Sequence, residues 1–396
     1  MDLKNQIKEN AGKYLEEVIS IRRHLHRNPE LSFNEEETST YIRGLLDKWK
    51  VPYEFPFVGT GLVASIRGEM TGGPVIALRT DMDALPINED AGLEFTSENK
   101  GVMHACGHDI HMACLLGSIM ILNELRSQLK GTVLFIFQPG EEKLPGGAKL
   151  MMEEGIFNKI SPDMIIAQHV LPEMEAGTVG FKPGPYMASS DEIYLTVKGN
   201  GGHGALPETI NDPVLMASHI LITLQQEINR KSPKKIPTVL SFGKVIANGA
   251  VNVIPDQVEL EGTFRTMNEE WRKEAHRLIR QIAKGISEGM GGTVDVEIRH
   301  GYPVLVNDPD LTQNCRQKAI ELLGEKKVVD MDIRMTAEDF AWYSQKYPSM
   351  MYRLGVKTPG QEEIFPLHTS RFKADEAAIQ TGIQTMSWLA VSLLNK

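Results

Sequence analysis

Three short apolar runs, PVIALRT, GTVLFIFQ and PDMIIAQ, each break off into polar residues: DMDALP, PGEE and HVLPEM. Runs of this length with abrupt polar ends read as buried strands. Between the first two lies DIHMACLLGSIMILNELRSQL, an amphipathic or buried helix. Helical spacing also marks YLEEVISIRRHLH and TSTYIRGLLDKW near the start, with NPELSFNEEET as a loop between them. Strands alternating with helices predict an α/β domain, a mixed sheet flanked by helices, and such sheets gather their chemistry at the carboxyl ends of the strands. The polar clusters fall at those ends.

From about Asp191 to His300 the rhythm changes. It runs as a strand (EIYLTVKG), a helix (DPVLMASHILITLQQEI), two strands (TVLSFGKVIA, QVELEGTFRT), a helix (EEWRKEAHRLIRQIAKGISEGMG) and a strand (TVDVEIRHG). This βαββαβ order is that of a ferredoxin-like α+β unit, which can bury its own core. It predicts an inserted domain over residues 188–301, with 1–187 and 302–396 forming the other domain. A chain of 396 residues is long enough for both. Its 42 basic against 52 acidic residues leave a net charge of -10, which argues against nucleic acid or an anionic membrane as partner. Three cysteines, Cys106, Cys114 and Cys315, cannot build a disulfide framework. The N-terminal MDLKNQIKENAGKYLEEV lacks the apolar stretch of a signal peptide, so a cytoplasmic protein is expected.

The strongest local signal is HACGHDIH, where His104, His108 and His111 surround Cys106. Cys106 and His108, one residue apart at a loop-to-helix junction, can reach a single divalent ion. A buried thiol among satisfied histidines is the plainer alternative. Glu141 and Glu142 in QPGEE repel unless a cation is near, and their opposite directions would let one ligate while the other handles a proton. A Glu pair by itself is more often a solvated turn. His169 after PDMIIAQ and His368 in PLHTSRF bring the candidates to five ligands from four loops, enough for two ions if a ligand or water bridges them. Asp81 and Asp83 in RTDMDALP can orient ligands by hydrogen bonds, or form an ordinary turn.

The motifs RTDMDALP, HACGHDIH, QPGEE, QHV, GGHGALP, NVIP and PLHTSRF, with RRHLHRNPELSFNEEET near the start, occur in an order that resembles the N-acyl-amino-acid amidohydrolases. This group contains plant auxin-conjugate (IAA-amino acid) hydrolases, bacterial hippurate hydrolases and N-acetyl-diaminopimelate deacetylases, and is more distantly related to aminoacylase and carboxypeptidase G. The resemblance spans essentially the whole chain. It implies a two-metal catalytic domain and an inserted lid that also forms a homodimer. By position, Cys106, His108, Glu142, His169 and His368 match the metal ligands and Glu141 the general base. His203 of GGHGALP matches a lid histidine that polarises the scissile carbonyl, in related enzymes often from the partner subunit. Asn252 of NVIP and Arg265 of GTFR match residues that hold the substrate. Where more distant relatives place a ligating His, this chain has Asp81. MTAEDF stands where the subgroup usually has a Gly-Ser pair before Glu-Asp-Phe, so Glu338 and Asp339 receive no assigned role.

The expected activity is hydrolysis of an N-acyl amino acid to a carboxylate and a free amino acid. Zinc is the first expectation for the ions, because of the thiolate, with manganese, cobalt or nickel as alternatives. A dipeptidase or exopeptidase using the same centre, and a silent binding protein of the same fold, are the competing readings.

Overall fold

The computed structural model describes residues 2–395, which divide into two compact units. The first comprises the chain up to Gly184, Val306–Asp332 and the chain from Asp339 onward; the second comprises Pro185–Leu305 and Ile333–Glu338.

An eight-stranded mixed sheet organises the first unit. Its spatial order is Tyr53–Phe57, Gly61–Arg67, Thr132–Gln138, Val75–Asp81, Met164–Glu175, Ser349–Lys357, Val179–Phe181 and Val328–Asp330. The central four strands run parallel. Strands covered on both faces carry continuous apolar runs, and Leu78, Phe135, Phe137, Ile165 and Ile166 are fully buried. The helix His108–Glu124 packs against Leu3–Arg27 and Ala377–Leu394 as well as the sheet. This explains why every residue from His108 to Leu122 is buried: it is a core helix, with no polar face.

Two sequence boundaries move. The second helix begins at Glu36, inside the expected loop, and places Glu36 and Glu37 in its first turn, where carboxylates complement the helix dipole. His169 lies within a strand, because Met164–Glu175 continues beside its parallel partner through Leu171 opposite Gly355 and, past an irregularity, to Glu175 opposite Lys357. On its other edge, pairing with Val75–Asp81 stops at Ala167 opposite Arg79.

The second unit contains a four-stranded antiparallel sheet in the order Thr238–Ile246, Gln257–Thr266, Asp191–Lys198, Thr293–His300, with helices Pro213–Lys231 and Glu269–Gly289. Read in chain order this is βαββαβ, and its apolar core is its own: Ile193, Leu195, Val197, Ile220, Leu224, Leu260, Phe264 and Ile279 are buried together. Asp212 and Asn268 cap the two helices by accepting backbone N–H groups of the first turn. Among the described residues, no helix is long and apolar enough to cross a membrane.

Candidate metal centre

The first unit brings the carboxyl ends of its strands and one helix start to a common point. Cys106 precedes the helix, His108 is its first residue, and Gly107 between them has φ 78°. A Cβ on Gly107 would sit 2.6 Å from Val170 Cγ2, so only glycine allows the thiol and the imidazole to turn inward together. Cys106 Sγ lies 3.6 Å from His169 Nε2. Ligand atoms of Cys106, His108 and His169 fall within 4.8 Å of one another, as do those of Cys106, Glu142 and His368, and those of His108, Glu141 and Glu142. The six residues expected as ligands and base are thus brought together. His368 reaches the cluster with a left-handed backbone, φ 60°, its N–H bonded to Ala105 O at 2.9 Å and its Nε2 3.1 Å from Glu142 Oε1. An imidazole held at such a φ stores strain of the kind that gathers at functional sites.

Charge and desolvation favour a cation here. His108 Nε2 is buried and has no hydrogen bond. Burial alone would lower the pKa of His108, but Asp81, Cys106 and Asp83 raise it well above the usual value. Hydrogen bonds to Cys106 and Glu142 push His368 up to about 10. Burial, then Glu142, raises the Cys106 thiol. A divalent ion at this point would offset the same negative groups that raise these two imidazoles. A thiol, three imidazoles and carboxylates form a donor set suited to such ions.

Asp81 and Asp83 both contact the cluster. His108 Nδ1 lies 2.8 Å from Asp83 O, and Asp83 Oδ2 accepts from Ser32 Oγ at 2.7 Å and Glu142 N–H at 2.9 Å. Asp81 Oδ1 is 2.7 Å from His111 Nδ1, and Asp81 Oδ2 accepts from Arg79 at 2.7 Å. Burial opposes ionisation of Asp81, yet His108, His111 and Arg79 hold its pKa well below the usual carboxylate range.

Arg79 and Glu35 support the site without having been singled out from the sequence, and Asp339, which received no role there, joins them. Buried Arg79 donates to Gln138 Oε1 at 2.9 Å and Asp339 Oδ1 at 2.7 Å, and Asp339 also accepts from Gln138 Nε2 and Ala148 N–H. Asp339 N–H donates to Glu141 Oε1 at 3.4 Å, so Asp339 is a buried anchor beside the loop that carries Glu141. Glu338 is buried and belongs to the segment that clusters with the second unit. Glu35, fully buried, accepts Gly140 N–H at 2.8 Å, Phe33 N–H at 2.9 Å and Thr60 Oγ1–H at 2.8 Å. Burial, then Asp83, pushes Glu35 up to about 7. A charged residue inside an apolar strand was the available signal for Arg79, since buried charges require partners.

In the second unit, the GGH and NVI segments pair as a short ladder with His203 opposite Val253, and Gly204 N–H donates to Asn252 O at 2.9 Å. His203 and Asn252 are therefore neighbours, and both are exposed. His203 Nδ1 accepts Ala205 N–H at 3.1 Å, which leaves the ring hydrogen on Nε2 as a donor. Arg265 lies on Gln257–Thr266 opposite Val239, half-buried.

Comparison with known proteins agrees with the resemblance drawn from the motifs. N-acetylcysteine deacetylase of Bacillus subtilis is 40% identical over 378 residues, covering 95% of this chain and 97% of its own. N-acetyldiaminopimelate deacetylase of Enterococcus faecalis is 36% identical over 386 residues, 96% of this chain and 98% of its own. The crystal structure of the YXEP protein of Bacillus subtilis, a dinuclear metal binding peptidase, superposes with a TM-score of 0.84 at 37% identity, covering 97% of this chain and 99% of that one. The profile of peptidase family M20/M25/M40 matches residues 77–391. The chain belongs to peptidase family M20/M25/M40 and is a hydrolase of amide bonds.

Proposed function

We propose that this protein hydrolyses N-acyl amino acids, and that Cys106, His108, Glu142, His169 and His368 hold two divalent ions, zinc first among the candidates. The reading is carried by the overlapping close groups that Cys106, His108, Glu142, His169 and His368 form, with the buried His108 Nε2 lacking a hydrogen bond and Glu141 grouped with His108 and Glu142. Similarity over almost the full chain to two deacetylases of acetylated amino acids supports the substrate class.

Bound divalent ions would polarise the scissile carbonyl and lower the pKa of water towards 7. Glu141 takes a proton from the attacking water and passes it to the departing amine. The 3.4 Å bond from Asp339 N–H to Glu141 Oε1 helps fix the direction of the carboxylate for this transfer. His203, with Nε2–H free to donate, stabilises the developing oxyanion. Asn252 holds the substrate amide and Arg265 its carboxylate. No covalent intermediate is required.

The test is a screen of N-acetyl, N-benzoyl and indole-acetyl amino acids beside dipeptides, with zinc, manganese, cobalt or nickel added singly to metal-free protein. Release of free amino acid from the N-acyl substrates is the expected result. Turnover of dipeptides alone would replace this reading with an exopeptidase, a use compatible with the peptidase description of the YXEP protein. Silence with every metal would leave a binding protein.

The second unit is also proposed to mediate a homodimer. Thr238–Ile246 is an edge strand exposing Val239 and Val245, and the helix Pro213–Lys231 exposes Leu215 (50%) and Ile222 (57%). An unpaired strand edge and large exposed apolar side chains favour a second copy over water. Light scattering should give a dimer mass that falls to the monomer in a Leu215→Glu/Ile222→Glu variant; a monomeric parent would exclude it. Three buried cysteines, none of them in a disulfide, fit the proposed cytoplasmic location.

A further inference from the structure

At Val170 the central sheet loses a neighbour. Its strand remains paired with Ser349–Lys357, whereas pairing with Val75–Asp81 has ended at Ala167. A buried peptide group left without a strand still needs hydrogen-bond partners. Two imidazoles supply them: Val170 N–H donates to His111 Nε2 at 2.9 Å, and Val170 O accepts from His169 Nδ1 at 2.8 Å.

These bonds fix the hydrogen on each ring. His111 Nε2 must present a lone pair, so its hydrogen sits on Nδ1 and is donated to Asp81 Oδ1 at 2.7 Å. His169 has its hydrogen on Nδ1, which leaves the Nε2 lone pair directed at the cluster, 3.6 Å from Cys106 Sγ. The two rings are 4.6 Å apart between centroids.

We propose that His111 is a positioning residue for the metal centre: it clamps the Val170 peptide against which His169 is braced, and so sets the direction of the His169 Nε2 lone pair. The proposal rests on the assignment of His169 as a ligand. His111, Asp81 and His108 also offer atoms within 4.8 Å of one another, which would suit His111 as a ligand itself. Both its ring nitrogens are already engaged, however, and it has no lone pair to give. Burial lowers the pKa of His111 against the pull of Asp81, in keeping with the neutral ring that the Val170 bond demands.

Substitutions that copy one nitrogen at a time separate these roles. His111→Gln retains an acceptor near Nε2, and His111→Asn retains only a donor near Nδ1. Zinc affinity of the metal-free, full-length protein is measured by competition with a chromophoric chelator for both variants, His111→Ala and His169→Ala. Thermal unfolding of each metal-free variant confirms that it folds, and the Ala variant stands in should the Asn variant not. His111→Asn and His111→Ala should weaken one zinc site by about 10–100-fold, the usual effect of removing a residue that orients a ligand, while His111→Gln stays close to the parent. Equal losses in the Gln and Asn variants would mean that His111 is itself a ligand and would overturn the proposal. Parent-like affinity in the Asn and Ala variants, with affinity lost in His169→Ala, would overturn it while sparing the ligand set. Unchanged affinity in His169→Ala would overturn the ligand assignment and the proposal together.

Discussion

Glu141→Gln should fold, bind its full complement of metal and lose about 10²–10⁴-fold in kcat, the range a positioned general base contributes. The substitution keeps the volume of a residue only 6% exposed and keeps an oxygen able to accept the Asp339 N–H. The backbone on either side is fastened independently, Gly140 N–H to Glu35 and Glu142 N–H to Asp83. Gly140 itself has φ 61°, and a Cβ there would lie 2.3 Å from the Phe33 ring, so the N-terminal segment grips this turn by shape as well as by hydrogen bonds. What the amide removes is the capacity to take a proton. Glu142→Gln, one residue on, should instead lose bound metal, because its carboxylate lies against His368 and the Cys106 group. Initial rates at saturating substrate, with zinc content by elemental analysis, distinguish the two. Activity above about a tenth of the parent in a fully loaded Glu141→Gln protein would remove Glu141 from the role of base.

The same loop shows what the sequence could and could not disclose. Apolar runs with polar ends placed Glu141, Glu142, Asp81 and Asp83 at strand ends, because burial on both faces leaves a strong compositional edge where a strand leaves the core. The βαββαβ rhythm was equally plain, since each of its strands and helices has its own periodicity. His169 was misplaced by a strand that outruns one neighbour while following the other, a fact of pairing that composition does not encode. Arg79 and Asp339 are 260 positions apart, and their bond exists only once the sheet and the C-terminal portion of the first unit have come together. Glu35 lies in the polar stretch that reads as a loop. Its full burial follows from contacts with Thr60 and Gly140, which no local pattern announces. Ile333–Glu338 clusters with the second unit although the chain around it belongs to the first, and no apolar repeat marks that excursion.

Arg265→Ala should cost about 10–100-fold in kcat/KM with N-acetyl amino acids, the equivalent of losing about 1.5–3 kcal/mol of hydrogen bonding to a charged group. The matching amino acid amides, which lack the free carboxylate, should be nearly indifferent. The reason lies in what surrounds the guanidinium. Burial lowers its pKa, and Asp191 is the carboxylate that pulls the other way. Yet Asp191 is already taken, by Arg272 at 2.8 and 2.6 Å and by His276 at 2.8 Å. Among the described residues the Arg265 guanidinium has no hydrogen bond or ion pair. A half-buried cation without a partner is unfavourable in the free protein, and an incoming carboxylate would relieve it through two parallel charge-assisted bonds. Arg265→Lys should recover only part of the loss, because a point charge cannot reproduce the planar fork. Steady-state kinetics on both substrate series, run on protein of verified metal content, decide the matter: an equal loss on acids and amides would show that Arg265 does not recognise the carboxylate.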